Sequence, residues 1–577
     1  MPSFLEELRR RNVFKVGLAY LAMAWLLLQV GDTVIPAFGA PAWALRALIV
    51  FLVAGLPFVV MIAWVFELTP EGVKRTDELP VDSSFTRQTG RKLDFIIIAF
   101  LSLALITVLV DRYVLQRSLL PEVSTLAVLP LQNLSGNTAE DYFADGMTEA
   151  LISNLAKVSA LRVISRTSVM RFKNSNRSLP AIAAELGADA VVTGSATRDG
   201  DQFRITAQLV DVSTDAVIWG DSFAADFQNI LSVQSQIAQE IAERIQIDVT
   251  PEELSRLARA AEGSADGYDD YLKGMERFYR LTPRDLEVAI EYFDRSLEQN
   301  PNSALALSGI AAAWIGLQQM GFVPADQASP KSEAAALRAL AIDNELAEPH
   351  LWLAVIRSWT DYNWSAAEEL FTKAIRLNPS YADVRGSYSH FLAVHGRFEE
   401  SLAQIEVALE LDPFNGWLIG LYGVVYHMSH RYDEAIVELE RALRISPDLP
   451  FVWMALAGSY HYSGQLDKAI QAEASYLKAV GMSEAQAELM RRYEADGYQV
   501  ARAWLADLLA EQSVATGTLA NWTAVRYARA GNNEKVIEWL ERSIEQSDPN
   551  APYLRIPEFD ALHSDPRVRE LIRRLGI

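Results

Sequence analysis

The sequence predicts a multi-domain protein: an α-helical transmembrane region with three spans, then an α/β domain, then an all-α superhelix of helical repeats. Three observations carry this expectation. The first 118 residues hold three long apolar runs almost without charge, residues 123–250 alternate short apolar strands with amphipathic helical stretches, and prolines recur at a fixed spacing of 34 further on. At 577 residues the chain exceeds a single hydrophobic core and fits about three or four units. Its formal charge of −22 argues against a general nucleic-acid binder, because phosphate contact needs clustered Lys and Arg. Cysteine is absent, which excludes disulfides, thiolate metal sites and cysteine nucleophiles.

The membrane region is expected over 1–118, with spans at about 13–30, 47–65 and 93–115. "SFLEELRRRNVFK" precedes the first, and no small-residue cleavage pattern follows it, so it does not read as a cleavable signal. Arg9, Arg10, Arg11 and Lys15 lie before or at the very start of the first span, the loop from Gly31 to Leu45 has no basic residue, and Lys74, Arg75, Arg87, Arg91 and Lys92 lie between the second and third. The positive-inside rule then gives a cytoplasmic N-terminus. The expected location is a bacterial inner membrane, with the α/β and repeat domains in the periplasm.

In the second domain, "STLAVLPL" reads as a strand and Ala139 to Val158 as a helix with Phe143, Met147, Leu151 and Leu155 on one face. "LRVIS" is a second strand. "SLPAIAAELG" has a serine start, an early proline and a closing glycine, the punctuation of a helix. The stretch from Ala188 to Asp226 reads as three strands, with "RDGD" as a hairpin turn, before a last helix "ILSVQSQIAQEIAERIQI". The strand–loop–helix at Ala127–Val158 has the order of a phosphate loop but only one glycine, Gly136, followed by Glu140 and Asp141. Acids at a helix N-terminus occupy the positive end and repel an anion, so Thr138 and Asp141 read as a helix cap. The basic run "RVISRTSVMRFKNSNR" is expected either as a solvated loop or as a contact for an acidic partner or an anionic lipid surface.

The segments "AVLPLQNLSGN…YFADGMTEALISNLAKV", "LRVISRTSV", "IAAELGADAVVTGSATRDGDQFRITAQLVDV" and "VIWGDSF" resemble the TolB N-terminal-like (FlgO-like) domain of bacterial envelope proteins. That resemblance implies an interaction domain set between a membrane span and tetratricopeptide repeats. Relatives of that type often carry a cyclase, kinase or winged-helix domain before the span. Only about a dozen residues precede the first expected span here, so no such module is expected there.

From 265 to 577 the signal is repetition. Pro379, Pro413 and Pro447 are spaced by 34, the tetratricopeptide period. Ala367, Phe371 and Ala374 keep register with Ala435, Leu439 and Ala442, and Gly423 and Tyr426 fill the small and aromatic positions of a first helix. An earlier copy ends at Pro301, the next has a longer inter-helix loop "QQMGFVPADQASP", and "FDALHSDPRVRELIRRLGI" resembles an end-of-array capping helix. Tetratricopeptide resemblance implies that certain first-helix positions line a groove: Trp352, Trp359, His390, Trp417, His427, Met428, Phe451, Met454, His461 and Tyr462. An aromatic groove suits a peptide with apolar anchors, and part of this set is alternatively expected to pack between helices. His427 and His461 also raise the ideas of a metal site and of pH sensing; no adjacent acidic ligand pattern supports the former.

Serine-hydrolase elbow, zincin and Walker motifs are lacking, and all seven histidines fall in the repeats. The expectation is therefore no catalytic residues, no metal and no cofactor. The protein reads as a non-enzymatic membrane-anchored scaffold or adaptor for protein or peptide partners. The alternative is a signalling receptor subunit that passes periplasmic binding to a separate cytoplasmic enzyme or regulator.

Overall fold

The structure is a computed structural model, and it describes residues 43–69, 72–75 and 123–577 (except 246, 248, 261, 262, 321, 517–519 and 547), with scattered positions between 13 and 28. The chain divides into two compact units, Met1–Pro121 and Glu122–Ile577.

The first unit corrects the expected membrane region. Among the described residues no helix is long and apolar enough to cross a membrane. The second expected span lies in α1 (Trp43–Val65), which takes in Arg46 near its start and Pro57 in its interior. Pro57 lacks the N–H that continues a helical ladder. At Phe66 the chain enters a hairpin of β1 (Phe66–Thr69) and β2 (Gly72–Arg75). The first expected span is described only at scattered positions, and the third, 93–115, lies outside the described residues. The three-span fold class, the integral-membrane assignment and the inner-membrane location with periplasmic domains all rested on these spans, and they fall together.

The second unit begins with a five-stranded sheet in the order β4-β3-β5-β6-β7. β3 (Thr125–Val128) runs parallel to β4 (Arg162–Val163) and to β5 (Ala190–Asp199). β5, β6 (Gln202–Asp211) and β7 (Ala216–Asp226) form an antiparallel meander. Gly200, at φ +60°, turns the first hairpin. β3 is buried along its whole length, as an inner parallel strand must be. At Gly194 a side chain would lie 1.9 Å from the Thr206 carbonyl, so only glycine fits that close strand pair. α2 (Asp141–Leu155) and α5 (Ile230–Arg244) pack against the sheet, with Phe143, Met147, Leu151 and Leu155 buried as their spacing predicts. Short helices α3 (Arg166–Met170) and α4 (Leu179–Leu186) lie between; α4 ends on left-handed Gly187. The predicted Thr138–Asp141 cap is replaced by a different one. Asn137 accepts the Ala139 N–H at the start of a short 3₁₀ turn, and Asn133 donates to Asp141.

After α6 (Pro251–Ala260) come antiparallel helix pairs. They are α7 (Tyr268–Phe278) with α8 (Pro283–Gln299), α9 (Ala304–Gln319) with α10 (Ala325–Ile342), α11 (Ala347–Trp359) with α12 (Trp364–Leu377), and α13 (Ala382–Val394) with α14 (Phe398–Leu411). Then follow α15 (Gly416–Met428) with α16 (Tyr432–Ile445), α17 (Pro450–Tyr462) with α18 (Leu466–Ala479), α19 (Ser483–Asp496) with α20 (Tyr498–Thr516), and α21 (Ala520–Arg529) with α22 (Asn533–Glu545). α23 (Pro566–Leu575) follows them. Pro379, Pro413 and Pro447 each fall two residues past a second helix, where a residue without N–H cannot extend it. Ala367, Phe371, Ala374, Ala435, Leu439 and Ala442 are fully buried. At Gly423 a side chain would meet Leu439 at 2.5 Å, which accounts for the small residue there. The long loop expected around "QQMGFVPADQASP" is shorter in the structure. α10 already begins at Ala325, and Pro330, its sixth residue, gives up one ladder hydrogen bond, the one to the Asp326 carbonyl.

The first repeat is built onto the α/β core. Tyr268 and Leu272 of α7 belong to the same buried cluster as the sheet, and at Gly146 of α2 a side chain would lie 2.7 Å from Leu272. At the other end the chain doubles back, and Trp364 of α12 donates its indole N–H to the Leu575 carbonyl at 2.6 Å.

Candidate functional site

The basic run that the sequence left open is spent inside the molecule. Arg162 pairs with Glu410 at 2.7 Å, Lys173 with Asp145 at 2.7 Å, and Arg177 with Glu185. The Arg171 guanidinium lies 4.3 Å from the Phe414 ring centre. Around them the backbone of the α/β domain is stitched to the repeats. The Ser165 N–H donates to the Leu411 carbonyl, Ser168 donates to Asp412, and Ser380 donates to the Leu161 carbonyl while accepting the Val163 N–H. The acidic partner of the run is the chain's own helices.

Between this seam and α7 a cavity of about 770 Å³ opens, walled by the α/β domain on one side and the first repeats on the other. That volume suits a small organic molecule. α2 brings Glu149 to the wall, α3 brings Arg166, α11 brings Glu348 and Trp352, and α13 brings Asp383. Arg166 stacks 3.8 Å over Tyr279 and faces Glu149 at 3.7 Å, too long for a hydrogen bond. Asp383 is open to the cavity yet ringed by protein; enclosure and the carboxylates of Asp412 and Glu149 push it up to about 7. Burial also raises Glu149 and Glu348, against the pull of Arg166 and Lys157 respectively, and lowers Lys157. Tyr271, Tyr279 and Tyr381 are raised well above the usual phenol value by burial.

The ten residues expected to line a peptide groove divide into five sets. Trp352 belongs to the cavity wall, and its indole N–H has no partner. Trp359, His390 and His427 face the chain's own C-terminal segment. Tyr553 stacks on Trp359 and its hydroxyl meets His390 Nε2, while His427 sits between Ser459 Oγ at 3.0 Å and Glu558 at 3.3 Å. Nearby Tyr462 packs on Tyr432, and His461 is held by Tyr498 and Arg502. Met428 and Met454 are buried, and the Met454 carbonyl accepts from Arg529. Trp417 and Phe451 are half-buried and lie over Gly386 and Gly420 of the preceding first helices, where a side chain would collide with their rings.

The sequence reading missed the buried ion network beneath the C-terminal segment. Glu558 accepts from Arg529 at 2.7 Å, and Arg529 and Arg526 both pair with Glu473. Burial opposes ionisation of Glu558, but His427 and Arg529 outweigh it and hold the carboxyl far below the usual range. His390 and His461 are pushed down to about 4, the first by burial and the second by burial with Arg502 and Arg529 beside it. Among the described residues no group of three His, Asp or Glu side chains could hold a metal ion.

Two protein families match parts of the chain. The second domain of HilA/YgeH-like transcriptional regulators matches residues 122–243, and the tetratricopeptide repeat matches 362–416. Putative adenylate cyclase 3 of Rhizobium meliloti (strain 1021) is 31% identical over 245 residues, 42% of this chain and 41% of the cyclase. The transcriptional regulator HilA of Salmonella typhimurium is 22% identical over 296 residues, 51% of this chain and 52% of HilA. The chain thus spans about half the length, or less, of these relatives. Among solved structures, YrrB, described as a TPR protein with an unusual peptide-binding site, is 22% identical with a TM-score of 0.22, covering 30% of this chain and 84% of YrrB. PilW, a type IV pilus biogenesis factor, is 19% identical with a TM-score of 0.28, covering 45% and 99%. The helical array is made of tetratricopeptide repeats, and that fold is one of protein–protein interaction scaffolds.

Proposed function

We propose that this chain is a non-enzymatic adaptor. In this reading the repeats, over about 265–577, hold a protein partner, and the α/β domain, over about 123–250, is a second interaction module fixed to them. The observation that carries it is the stacked tetratricopeptide array, whose helix pairs expose an extended surface once their apolar faces are buried against each other. The resemblance of the α/β stretch to TolB N-terminal-like domains fits an interaction role. Similarity to both a putative cyclase and a transcriptional regulator fits a module that serves different outputs. Trp417 and Phe451, half-buried on consecutive first helices, are the proposed anchor surface, because Trp359, His390 and His427 are covered by residues 553–558.

Crosslinking of the full chain in its native cells tests this. The expected result is one stoichiometric partner, crosslinked to the repeats and lost in Trp417→Ala and Phe451→Ala chains that keep their helical circular dichroism. Partner retention unchanged in both variants would reject the anchor surface; a chain that runs alone at native abundance would reject the adaptor reading.

The cavity favours a second reading, a signal-receiving subunit in which a small ligand between the α/β domain and the repeats changes partner binding. A partner affinity indifferent to every cavity ligand rules it out.

A further inference from the structure

We infer that the cavity between the α/β domain and the first repeats is a binding site for an organic cation, a small molecule bearing a protonated amine. The inference is independent of which protein the repeats hold.

The charge balance of the wall points to a cation. Nine carboxylates line the cavity against four basic side chains. Each of the four has an acceptor or an acid beside it: Lys157 donates to Asn154, Arg166 faces Glu149, Arg256 lies 3.9 Å from Glu253, and Arg259 pairs with Glu345. Among the described residues no salt bridge or side-chain hydrogen bond from another residue reaches Glu348 or Asp383; Glu348 feels Lys157 only from beyond contact, and no basic side chain is set against Asp383. Carboxylates set in such a wall with no cation in contact are costly to ionise, and both are raised. An ammonium group placed among them would supply the missing charge.

The neutral part of the wall points the same way. Tyr271 and Tyr381 line the same wall as these acids, a combination that receives alkylammonium groups through ring faces, and Tyr279 already carries the Arg166 guanidinium in this way. Asn378 also belongs to the wall; it is only 7% exposed, and its side-chain oxygen has no hydrogen-bond partner. A free anion finds no equivalent welcome, because the basic groups already have partners and the field of the wall is acidic.

The test is calorimetric titration of the full chain with 1,4-diaminobutane, phenethylamine and tetramethylammonium, and with phenylacetate as the anionic counterpart of the second. The expected result is saturable one-to-one binding of at least one amine, none of phenylacetate, and a loss of affinity of about tenfold or more in both Glu348→Gln and Asp383→Asn. Both variants keep side-chain shape, and circular dichroism reports whether they fold; Glu541→Gln, on α22, serves as the variant that leaves binding unchanged. The inference is overturned if no amine binds at millimolar concentration, if phenylacetate binds as well as phenethylamine, or if amine binding persists unchanged in the two folded cavity variants.

Discussion

Tyr553 lies flat against Trp359, with ring centres 6.1 Å apart and planes inclined by 18°, although 194 residues separate them in the chain. The same tyrosine reaches His390 with its hydroxyl and packs against Trp522, so one side chain joins three helix pairs. Part of the groove face that the tetratricopeptide resemblance implies, at Trp359, His390 and His427, is covered by the chain's own C-terminal segment.

Removing that ring should cost more than a surface contact. Tyr553→Ala deletes a buried aromatic and leaves His390 and Trp359 uncovered, so a loss of about 3–5 kcal/mol is expected in chemical denaturation. Limited proteolysis should then cut near Asp548 in the folded protein, which the parent chain resists.

The buried ions give a second expectation. Glu558→Gln leaves His427 without its carboxylate and Arg529 with Glu473 as its remaining acid in a dry site, and breaking such a network costs roughly 3–5 kcal/mol. A double-mutant cycle with Arg529→Met should show strong coupling, because Glu558 and Arg529 are in direct contact.

Acid should loosen the repeats. His390 and His461 have folded-state values near 4, against about 6.5 unfolded, so the unfolded chain binds more protons between those limits. Their share of stability is complete above about pH 6.5 and is lost as pH falls toward about 4. His390→Gln should therefore flatten the decline in melting temperature between about pH 7 and pH 5.

Asp383 behaves in the opposite sense. Its folded value of about 7 exceeds the unfolded one of about 3.9, so the folded state is favoured at low pH and loses that advantage as pH rises through 7. Asp383→Asn should raise the melting temperature more at about pH 8 than at about pH 5. A shift equal at both values would remove Asp383 as the titrating group.

At Gly194 the expectation is structural. Alanine there places a methyl carbon against the Thr206 carbonyl, in the middle of the β5–β6 pair, and should cost more than the few tenths typical of exposed changes. Far-ultraviolet circular dichroism of purified Gly194→Ala chain, with its yield, checks this.

How much of this was legible in the sequence follows from range. The β3–α2 entry, the "RDGD" hairpin and the alanine–phenylalanine–alanine register of the repeats are local patterns, and each appears where spacing put it. The covering of Trp359 and His390 by Tyr553 depends on residues more than 160 apart, and no periodicity encodes such a pairing. Glu558 stands immediately before the segment that reads as a simple end cap, and nothing in its spacing ties it to His427 or Arg529. The cavity was invisible for the same reason, since Glu149, Glu348 and Asp383 come from three helices far apart in the chain. The membrane expectation failed differently: apolar run length was read as span length, while α1 includes Arg46 and Pro57 and gives way to a hairpin.

The Trp364–Leu575 hydrogen bond and the stacking of Tyr553 have a consequence for how the molecule is made. A tandem array ordinarily assembles outward, each module settling as soon as its neighbour exists. Here α11–α13 emerge from the ribosome nearly two hundred residues before the segment that covers them, so their aromatic face waits bare during synthesis. The finished fold is a clasped ring of contacts rather than an open stack, and its unfolding should be all-or-none where an open stack would fray from one end.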